Sequence, residues 1–411
     1  MRRVAITGIG IISPIGNIVI DYFDSLIKGK SGAGIVTHFD ASEFTSKIAC
    51  EVKDFDPTMF MEAKEAKRMD RFVQFGMAAA KMAVEDSGID FSKYDPFRAG
   101  ANIGSGIGGI DTLEKEHSVL IQSGPRRVSP LLIPMMIANM ASGQVAIKYG
   151  IRGPNETVVT ACATSAHAIG DAFRLIKYNY ADVMIAGGGE AAITPIGYAG
   201  FCSMKALSTR NDEPQRASRP FDAERDGFVI GEGSGVFILE ELESAKKRGA
   251  KIYAEIVGYG ATADAYHITA PDPDGLGALK AMELAVKEAD ASLDEIDYIN
   301  AHGTSTKLND ATETKAIKNL FGDRAYKIAI NSTKSMTGHL LGAAGAIESI
   351  AAILCMQNSI IHPTINYEFK DPECDLDYTP NKPREMEINY ALSNSFAFGG
   401  QNASVLYKKF K

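Results

Sequence analysis

The sequence predicts an α/β fold made of two similar halves that pack as one unit. Short β-rich runs alternate with helical segments along the 411 residues, which is typical of layered α/β proteins with mostly parallel sheets. The segment KMAVEDSGI at Lys81–Ile89 resembles ELAVKEADA at Glu283–Ala291, and each closes a predicted helix. Each is followed by a strand and a polar, glycine-containing loop. Their shared offset of about 200 residues indicates an internal duplication.

The individual elements follow from local hydrophobic patterns. Strands are expected at Val4–Thr7, Ala99–Ile103, Val183–Ala186, Phe237–Glu240, Tyr253–Gly258 and Tyr298–Ala301, and helices at Phe72–Asp86, Ala163–Lys177 and Gly277–Ala289. The first strand follows Arg2 and Arg3, but glycines interrupt its apolar run, so a buried strand is favoured over a signal peptide. A charged helix end precedes a new strand near Arg248–Lys251. We therefore predict an N-terminal half of residues 1–250 and a C-terminal half of residues 251–411.

Composition argues against several functional classes. Hydrophobic residues make up 45% and charged residues 23% of the chain, as in ordinary globular proteins. The formal net charge of −8 does not suit a general nucleic-acid binder. No uninterrupted apolar stretch of about 18 residues stands out, so no membrane contact is expected. The five cysteines lack CxxC spacing, which predicts neither a metal site nor a redox motif: Cys50, Cys162, Cys202, Cys355 and Cys374.

Cys162 is the cysteine with the most informative surroundings. It lies in ETVVTACATSAHAIG, where an apolar, strand-like run ends at Val159 and a helix follows with Ile169 and Phe173 on one face. Free N–H groups and partial positive charge at a helix start favour thiolate over thiol. Most free cysteines are simply small buried hydrophobes. The small neighbours and the helix start favour a nucleophile here.

Two histidines follow in glycine-containing loops. His302, in NAHGTSTKLND, comes just after a predicted strand, where α/β sheets bind ligands, although such a histidine also serves as a turn or cap residue. His339, in NSTKSMTGHLLGAAG, is expected at or near the N-terminus of an apolar helix, where the dipole disfavours imidazolium. Gly338, Gly342 and Gly345 recur at helical spacing, which predicts that another backbone approaches that helix closely.

Two further segments carry candidate residues. Glu348 is the only charge in the apolar run Leu340–Met356. If it is buried it needs a partner, and Lys334 is the obvious candidate; helix periodicity equally allows Glu348 to reach solvent. In SNSFAFGGQNAS, Phe396 and Phe398 stand beside a Gly-Gly pair. The backbone N–H groups of this loop suit an oxyanion, and a plain hairpin turn is the alternative.

One cysteine and two histidines suit acyl transfer followed by carbon–carbon bond formation. The thiolate would take an acyl chain from a thioester. Two neutral imidazoles would then donate hydrogen bonds to a malonyl thioester carbonyl and stabilise the enolate formed on loss of CO2.

Over essentially its whole length the sequence resembles the β-ketoacyl-acyl carrier protein synthases, and most closely the synthase II type that elongates fatty acids. The carrying motifs are TACATSAHAIG, NAHGTSTKLND, NSTKSMTGHLLGAAG, NSFAFGGQNAS and RPFDAERDGFVIGEGSG. The resemblance implies a thiolase-like, five-layered αβαβα fold from two duplicated halves, and a homodimer. It implies decarboxylative condensation of malonyl thioesters with a Cys-bound acyl chain. No cofactor is implied, because the phosphopantetheine arm arrives on the carrier protein. The expected location is the cytoplasm, or an organelle lumen if a transit peptide was removed.

The resemblance also implies roles for individual residues. Cys162 carries the acyl group, and His302 and His339 assist decarboxylation and condensation. Lys334 and Glu348 support the histidines electrostatically. Phe398 is the gating residue, and its N–H and that of Cys162 form the oxyanion hole. Thr304 and Thr306 are implied to bind the phosphopantetheine arm, and Ile107 and Phe201 to line the acyl pocket. Leu132 falls where the dimer partner closes that pocket, a position at which the family often has Phe. Phe396, in the loop of Phe398, is a further implied substrate-binding residue.

Docking of an acidic carrier protein on this net-negative chain requires local basic patches. The residues that match the family's docking surface are Lys64, Lys67, Arg68, Arg126 and Arg127. A solvated basic helix face is the alternative, because Glu65 and Asp70 lie among them. At the level of function, the rivals are a stand-alone polyketide ketosynthase and a non-catalytic chain-length-factor-like partner. The latter lack the nucleophile that Cys162 supplies here.

Overall fold

The computed structural model describes all 411 residues, Met1–Lys411. The strands are β1 (Val4–Ile12), β2 (Gly34–Ile35), β3 (Ile48–Ala49), β4 (Ala99–Gly104), β5 (Asn155–Glu156), β6 (Val183–Glu190), β7 (Gly233–Glu241), β8 (Ala254–Ala263), β9 (Tyr298–Asn300), β10 (Ala329–Asn331), β11 (Ile360–Ile361), β12 (Arg384–Glu385), β13 (Tyr390–Phe396) and β14 (Gln401–Lys409).

The helices alternate with these strands along the chain. They are α1 (Val19–Ile27), α2 (Ala63–Ala66), α3 (Arg71–Ser87), α4 (Ile110–Ser123), α5 (Leu132–Met136), α6 (Met140–Tyr149), α7 (Thr164–Lys177), α8 (Pro195–Ser203), α9 (Leu242–Lys247), α10 (Leu276–Glu288), α11 (Lys307–Phe321), α12 (Lys334–Thr337) and α13 (Ala344–Asn358). All nine elements predicted from the sequence are present, with ends that differ by a few residues.

One sheet of ten strands displays the duplication directly. Its order is β5-β4-β6-β7-β1 in the first half and β8-β14-β13-β9-β10 in the second, and β1 pairs with β8 where the halves meet. Each half repeats the same pattern of two parallel ladders followed by two antiparallel ladders. The expectation of mostly parallel sheets is therefore wrong. The predicted boundary between residues 250 and 251 falls in the loop between α9 and β8 and stays a prediction.

Matched glycines mark the same close packing in both halves. A Cβ at Gly10 of β1 would overlap the carbonyl oxygen of Ala79 in α3, and a Cβ at Gly260 of β8 would overlap that of Ala281 in α10. These helices cover the outer faces of the two half-sheets at the same point. The equivalent contacts explain why KMAVEDSGI and ELAVKEADA resemble each other. The first segment closes α3, which lies against β1, and the second closes α10, which lies against β8.

Two helices lie between the half-sheets and complete a five-layered αβαβα arrangement. Helix α7 contacts β4 and β6 of the first half and also β8 and β14 of the second. Helix α13 contacts β13 and β7, and residues Ala344–Met356 are all buried. By length and composition the segment Leu341–Asn358 would be able to cross a membrane, but 89% of it is buried inside the protein. It is the central core helix, and the catalytic candidates lie at its N-terminal end and that of α7.

Candidate active site

Cys162 lies on a tight turn at the entrance to α7. The turn Ala161–Ala163 is a single 3₁₀ turn, and Ala161 has a φ of 47°, in the left-handed region that a residue with a side chain rarely adopts. This strained turn holds Cys162 two residues before the first residue of α7, Thr164. The strand-like run expected to end at Val159 is wrong, because β5 contains only Asn155–Glu156 and residues 157–160 are irregular.

The thiol of Cys162 is buried, and burial decides its protonation. Desolvation raises its pKa to about 11, while the Lys334 ammonium and a hydrogen bond from the Phe398 backbone N–H act to lower it. Burial therefore outweighs the effect of the helix start, which was predicted to favour the thiolate. The thiol is protonated at neutral pH, so its proton must leave when the sulfur reacts.

His302 follows β9 and is held from both sides. The Lys334 ammonium donates to the His302 carbonyl oxygen at 2.6 Å and lies 3.3 Å from Nδ1. The buried carboxylate of Glu313 accepts the backbone N–H groups of His302 at 2.9 Å and Gly303 at 2.8 Å. Because an ammonium can only donate, Nδ1 accepts and Nε2 carries the imidazole proton.

His339 presents the same nitrogen to the site. The backbone N–H of Leu341 donates to its Nδ1 at 3.3 Å, so Nε2 again carries the proton, and Nε2 is buried without a protein partner. The two histidine rings lie 5.3 Å apart between centroids at an interplanar angle of 84°. His339 lies near the N-terminus of the apolar helix, as expected: it is in the turn between α12 and the 3₁₀ turn Leu341–Ala343, which leads directly into α13.

Both imidazoles are neutral near pH 7. Burial is the largest cause that lowers the pKa of His302 and of His339 well below the ordinary histidine value, and the nearby Lys334 ammonium lowers both further. For His302, His339 adds a third, smaller contribution. A pair of neutral Nε2–H donors is therefore available at this point of the protein.

The expected partnership between Lys334 and Glu348 is present in the structure. Nζ of Lys334 lies 2.6 Å from Oε1 of Glu348, and both side chains are buried. Burial raises the pKa of Glu348 to about 7, against the lowering effect of the ammonium. Lys334 starts the short helix α12 rather than lying in a loop. Its ammonium thus connects the core helix α13 to His302.

The glycines near His339 approach other backbone as expected, with one difference. A Cβ at Gly342 would overlap the Gly106 nitrogen, and a Cβ at Gly345 would lie 3.0 Å from the backbone nitrogen of Ala166. Gly338 is not part of a helix; it ends α12 with a φ of 68°. Its role is to reverse the chain so that His339 returns towards Cys162.

A cavity of about 360 Å³ brings most of the predicted site residues together. Thr304 and Thr306 lie on its wall, with their hydroxyl oxygens 2.9 Å apart. The turn of the β13–β14 hairpin contributes Phe398, and the consecutive Gly399 and Gly400 have φ values of 86° and 76°. The predicted residues that line the cavity are Cys162, His302, His339, Thr304, Thr306, Phe396 and Phe398.

The predicted acyl-pocket residues lie outside this cavity. Phe201 packs edge to face against Phe228, at 5.6 Å between centroids, beside the apolar cluster that includes Cys162. Ile107 lies at the end of the loop after β4 and is 40% exposed, and Leu132 begins α5 and is half-buried. Their roles remain predictions.

The predicted docking residues are exposed and unpaired. None of the five basic side chains forms an ion pair within 4 Å: Lys64, Lys67, Arg68, Arg126 and Arg127. Asp70 does not neutralise them, because it is buried, caps α3 and accepts from Thr112. Glu65 bonds the backbone of Glu62 in a capping box. Exposed, unpaired cations fit a docking surface and a solvated basic helix face equally, so the docking role stays a prediction.

Two buried carboxylates in the site were missed by the sequence analysis. Glu313 of α11 holds the backbone of the His302 loop, and Glu190 at the end of β6 accepts four hydrogen bonds close to Cys162. The sequence does contain an indication that Glu190 is a site residue, because it is a charged residue that ends the apolar and glycine-rich strand VMIAGGGE. Glu313 lies in a polar helix that gave no such contrast.

Family models match both halves of the chain. The N-terminal domain of beta-ketoacyl synthase matches residues 1–245, and the C-terminal domain matches residues 253–368. A protein of Synechocystis sp. named 3-oxoacyl-[acyl-carrier-protein] synthase 2 is 55% identical over 410 residues, covering 100% of this chain and 99% of its own. A protein of the same name from Coxiella burnetii is 53% identical over 408 residues, with 99% of each chain covered.

A solved structure has the same fold as this chain. The ketosynthase of a type II polyketide system, in complex with its acyl-carrier protein, superposes with a TM-score of 0.93 at 37% identity, with 100% of each chain covered. This similarity confirms the predicted thiolase-like architecture. On the evidence of its motifs, its duplicated fold and these relatives, the chain belongs to the beta-ketoacyl synthase family.

Proposed function

We propose that this chain is a 3-oxoacyl-[acyl-carrier-protein] synthase of type II, which condenses malonyl-carrier with a Cys-bound acyl chain in fatty acid elongation. The full-length relatives of that name support this activity over a polyketide ketosynthase or a non-catalytic partner. One observation carries the mechanism. A buried thiol shares a cavity with two neutral imidazoles that both keep their proton on Nε2.

The first step is transfer of the acyl chain to Cys162. The sulfur attacks the carbonyl carbon of an acyl thioester, and the bond to the carrier's phosphopantetheine sulfur breaks. The thiol proton of Cys162 leaves with that departing sulfur. We assign the tetrahedral oxyanion to the Phe398 N–H and the Cys162 N–H. No resident cofactor takes part, since the phosphopantetheine arm belongs to the carrier protein, with Thr304 and Thr306 positioned to bind it.

The second step forms the new carbon–carbon bond. The Nε2–H groups of His302 and His339 donate to the carbonyl oxygen of the malonyl thioester, so the electron pair released with CO2 is held as an enolate. Its C2 carbon attacks the acyl carbonyl carbon on Cys162, and collapse of the oxyanion expels the sulfur as thiolate, which takes up a proton from water to restore the thiol. The product is a 3-oxoacyl thioester two carbons longer. Lys334, fixed by Glu348, keeps His302 in the required tautomer.

Removal of either histidine tests this assignment. His302→Ala and His339→Ala should each slow malonyl decarboxylation by about 10²- to 10³-fold, the usual cost of one oxyanion donor, while acyl loading of Cys162 continues. Release of CO2 from labelled malonyl-carrier and mass spectrometry of the acyl-enzyme measure the two steps separately. His117→Ala is the control, because His117 is exposed on α4. Decarboxylation at the wild-type rate in both variants would contradict the mechanism.

The pH dependence of decarboxylation follows from the depressed histidine pKa values. Because both pKa values lie well below 6.5, the neutral donors persist as the pH falls through the ordinary histidine range. We expect histidine protonation to leave the decarboxylation rate unchanged between about pH 8 and pH 6, rather than to halve it near the unperturbed value of about 6.5. Single-turnover rates on acyl-loaded enzyme measure this, and a midpoint near 6.5 would contradict it.

The exposed cations provide the proposed docking surface for the acidic carrier. Double charge reversal, Lys67→Glu with Arg68→Glu, should raise KM for carrier-bound substrate by roughly tenfold at low ionic strength, because steering is lost. The increase should shrink as salt screens the surface. A carrier-free thioester should show an unchanged KM. Lys382→Glu, at another exposed site, is the matched control, and an unchanged KM in the double variant would remove this patch from the docking surface.

The proposed assembly is a homodimer in the cytoplasm. The edge strand β5 is open in the single chain, and three apolar side chains between residues 133 and 159 are more than half exposed: Ile133 58%, Ile147 75% and Val159 54%. A second copy would cover these residues and bring its Leu132 towards the acyl pocket.

A panel of acyl-carriers of increasing length, scored by condensation rate, tests the type II assignment through acceptance of long chains.

A further inference from the structure

Glu190 is the buried charge nearest the nucleophile that the mechanism above does not use. It ends β6, is fully buried, and has no cation within ion-pairing distance. All of its partners are donors. Oε1 accepts the Ser105 hydroxyl at 2.8 Å and the Ile107 N–H at 3.3 Å, and Oε2 accepts the Gly106 N–H at 2.8 Å and the Gly342 N–H at 2.9 Å.

These partners come from both halves of the chain. The loop Ser105–Ile107 follows β4 of the first half and carries a predicted acyl-pocket residue. Gly342 belongs to the second half and adjoins Leu341, which lines the cavity and whose N–H fixes the tautomer of His339. One carboxylate thus holds two segments that have separate tasks in the reaction.

The packing around Glu190 leaves no room for side chains. A Cβ at Gly342 would lie 2.6 Å from Oε2, and a Cβ at Gly106 would lie 2.8 Å from the same atom and 3.2 Å from the Ala161 carbonyl oxygen. Ala161 directly precedes Cys162. The loop, the carboxylate and the nucleophile turn therefore form one contiguous layer.

We infer that Glu190 is a positioning residue that ties the acyl-pocket loop at Ile107 to the Leu341–Gly342 turn, and so couples acyl-chain binding to the orientation of His339. The inference rests on the proposed function. When a chain enters the pocket and displaces the Ile107 loop, the displacement reaches Gly342 through the shared carboxylate. Binding of the acyl chain thereby adjusts the orientation of the His339 donor for the malonyl step.

The substitution Glu190→Gln tests the coupling with little change of shape. One terminal oxygen becomes an NH2 group. Facing Gly106 and Gly342, it loses both of their hydrogen bonds; facing Ser105 and Ile107, it loses the bond from the Ile107 N–H, because the Ser105 hydroxyl can turn to accept. The loss of one or two buried hydrogen bonds corresponds to roughly a tenfold change. We expect KM for long acyl-carriers to rise about tenfold relative to short ones, and the stimulation of malonyl decarboxylation by acyl loading to disappear.

A second measurement distinguishes positioning from general loosening of the fold. Burial is the largest cause that raises the pKa of Cys162; Glu190 and Glu348 raise it further, and Lys334 lowers it. The other titratable groups that line the cavity are His302, His339, Lys205, Asp226, Asp264 and Lys307. Removal of the Glu190 charge should move the midpoint of the Cys162 alkylation profile to lower pH. Ser105→Ala removes one tether without the charge, so it should alter the chain-length dependence and leave the midpoint unchanged.

Glu240→Gln is the matched control, since Glu240 is equally buried in the neighbouring strand β7 but pairs with Arg248 away from the cavity. It should leave both the midpoint and the chain-length profile as in the wild type. The inference is overturned if folded Glu190→Gln enzyme keeps the wild-type chain-length profile and acyl-dependent decarboxylation. Failure of the wild-type protein to condense any acyl-carrier would instead overturn the proposed function.

Discussion

Cys162→Ala is expected to lower condensation by at least about a thousandfold, because the acyl chain then has no covalent attachment point and both half-reactions lose their common intermediate. The methyl group of alanine fits the space of the thiol, so the fold should be retained. Malonyl decarboxylation should persist, since His302 and His339 remain in place. Condensation assays, together with mass spectrometry for the acyl-enzyme, measure both outcomes.

The other cysteines provide the control for this prediction. Cys202 is half-buried on α8, and Cys202→Ala should retain the acyl-enzyme signal and most of the condensation rate. A Cys162→Ala enzyme that elongates acyl chains at the wild-type rate would contradict the proposed mechanism. If the acyl-enzyme signal in the mass spectrum moves to another cysteine, that cysteine is the nucleophile.

Lys334→Met is expected to cost about 3–5 kcal/mol of unfolding free energy, the usual effect of leaving one partner of a buried ion pair without the other. Glu348 then has no cation, and its pKa rises above the value of about 7 that it has beside the ammonium. The folded variant therefore binds a proton that the unfolded chain, with its ordinary lower pKa, has released. The stability of the variant falls as the pH rises from about 5 to 8, which denaturant titrations at several pH values measure.

A double variant separates stability from chemistry at this position. Lys334→Met combined with Glu348→Met replaces the pair by apolar groups, which is often neutral for stability. It should recover most of the lost unfolding free energy. Decarboxylation should stay low, because nothing then donates to the carbonyl oxygen or Nδ1 of His302. If activity returns with stability, the ammonium has no role beyond compensating Glu348.

The sequence predicted most of this structure because much of the information is local. The nine elements, the histidines at strand and turn ends, and the Lys334–Glu348 pair follow from periodicity and from a charge placed in an apolar run. Strand direction did not follow. The strands β1 and β7 are buried on both faces, and such a run looks the same for parallel and antiparallel pairing.

The missed features depend on depth and on distant backbone. A helix start is visible in the sequence near Cys162, but the burial that raises the thiol pKa comes from residues far along the chain. Glu190 and Glu313 accept mainly backbone N–H groups. Every residue except proline offers such a donor, so no pattern of side chains indicates which backbone groups these two carboxylates bind.

The pairing of β1 with β8 has a consequence for biosynthesis. Val4 pairs with Ile256, so the two strands leave the ribosome roughly ten to fifty seconds apart at ordinary rates of synthesis. During this interval β1 presents a free edge and α7 lacks the strands that cover its second face, which invites aggregation unless a chaperone shields them. The nucleophile is therefore made early but cannot support condensation, because the histidines of the malonyl step arrive only with the second half of the chain.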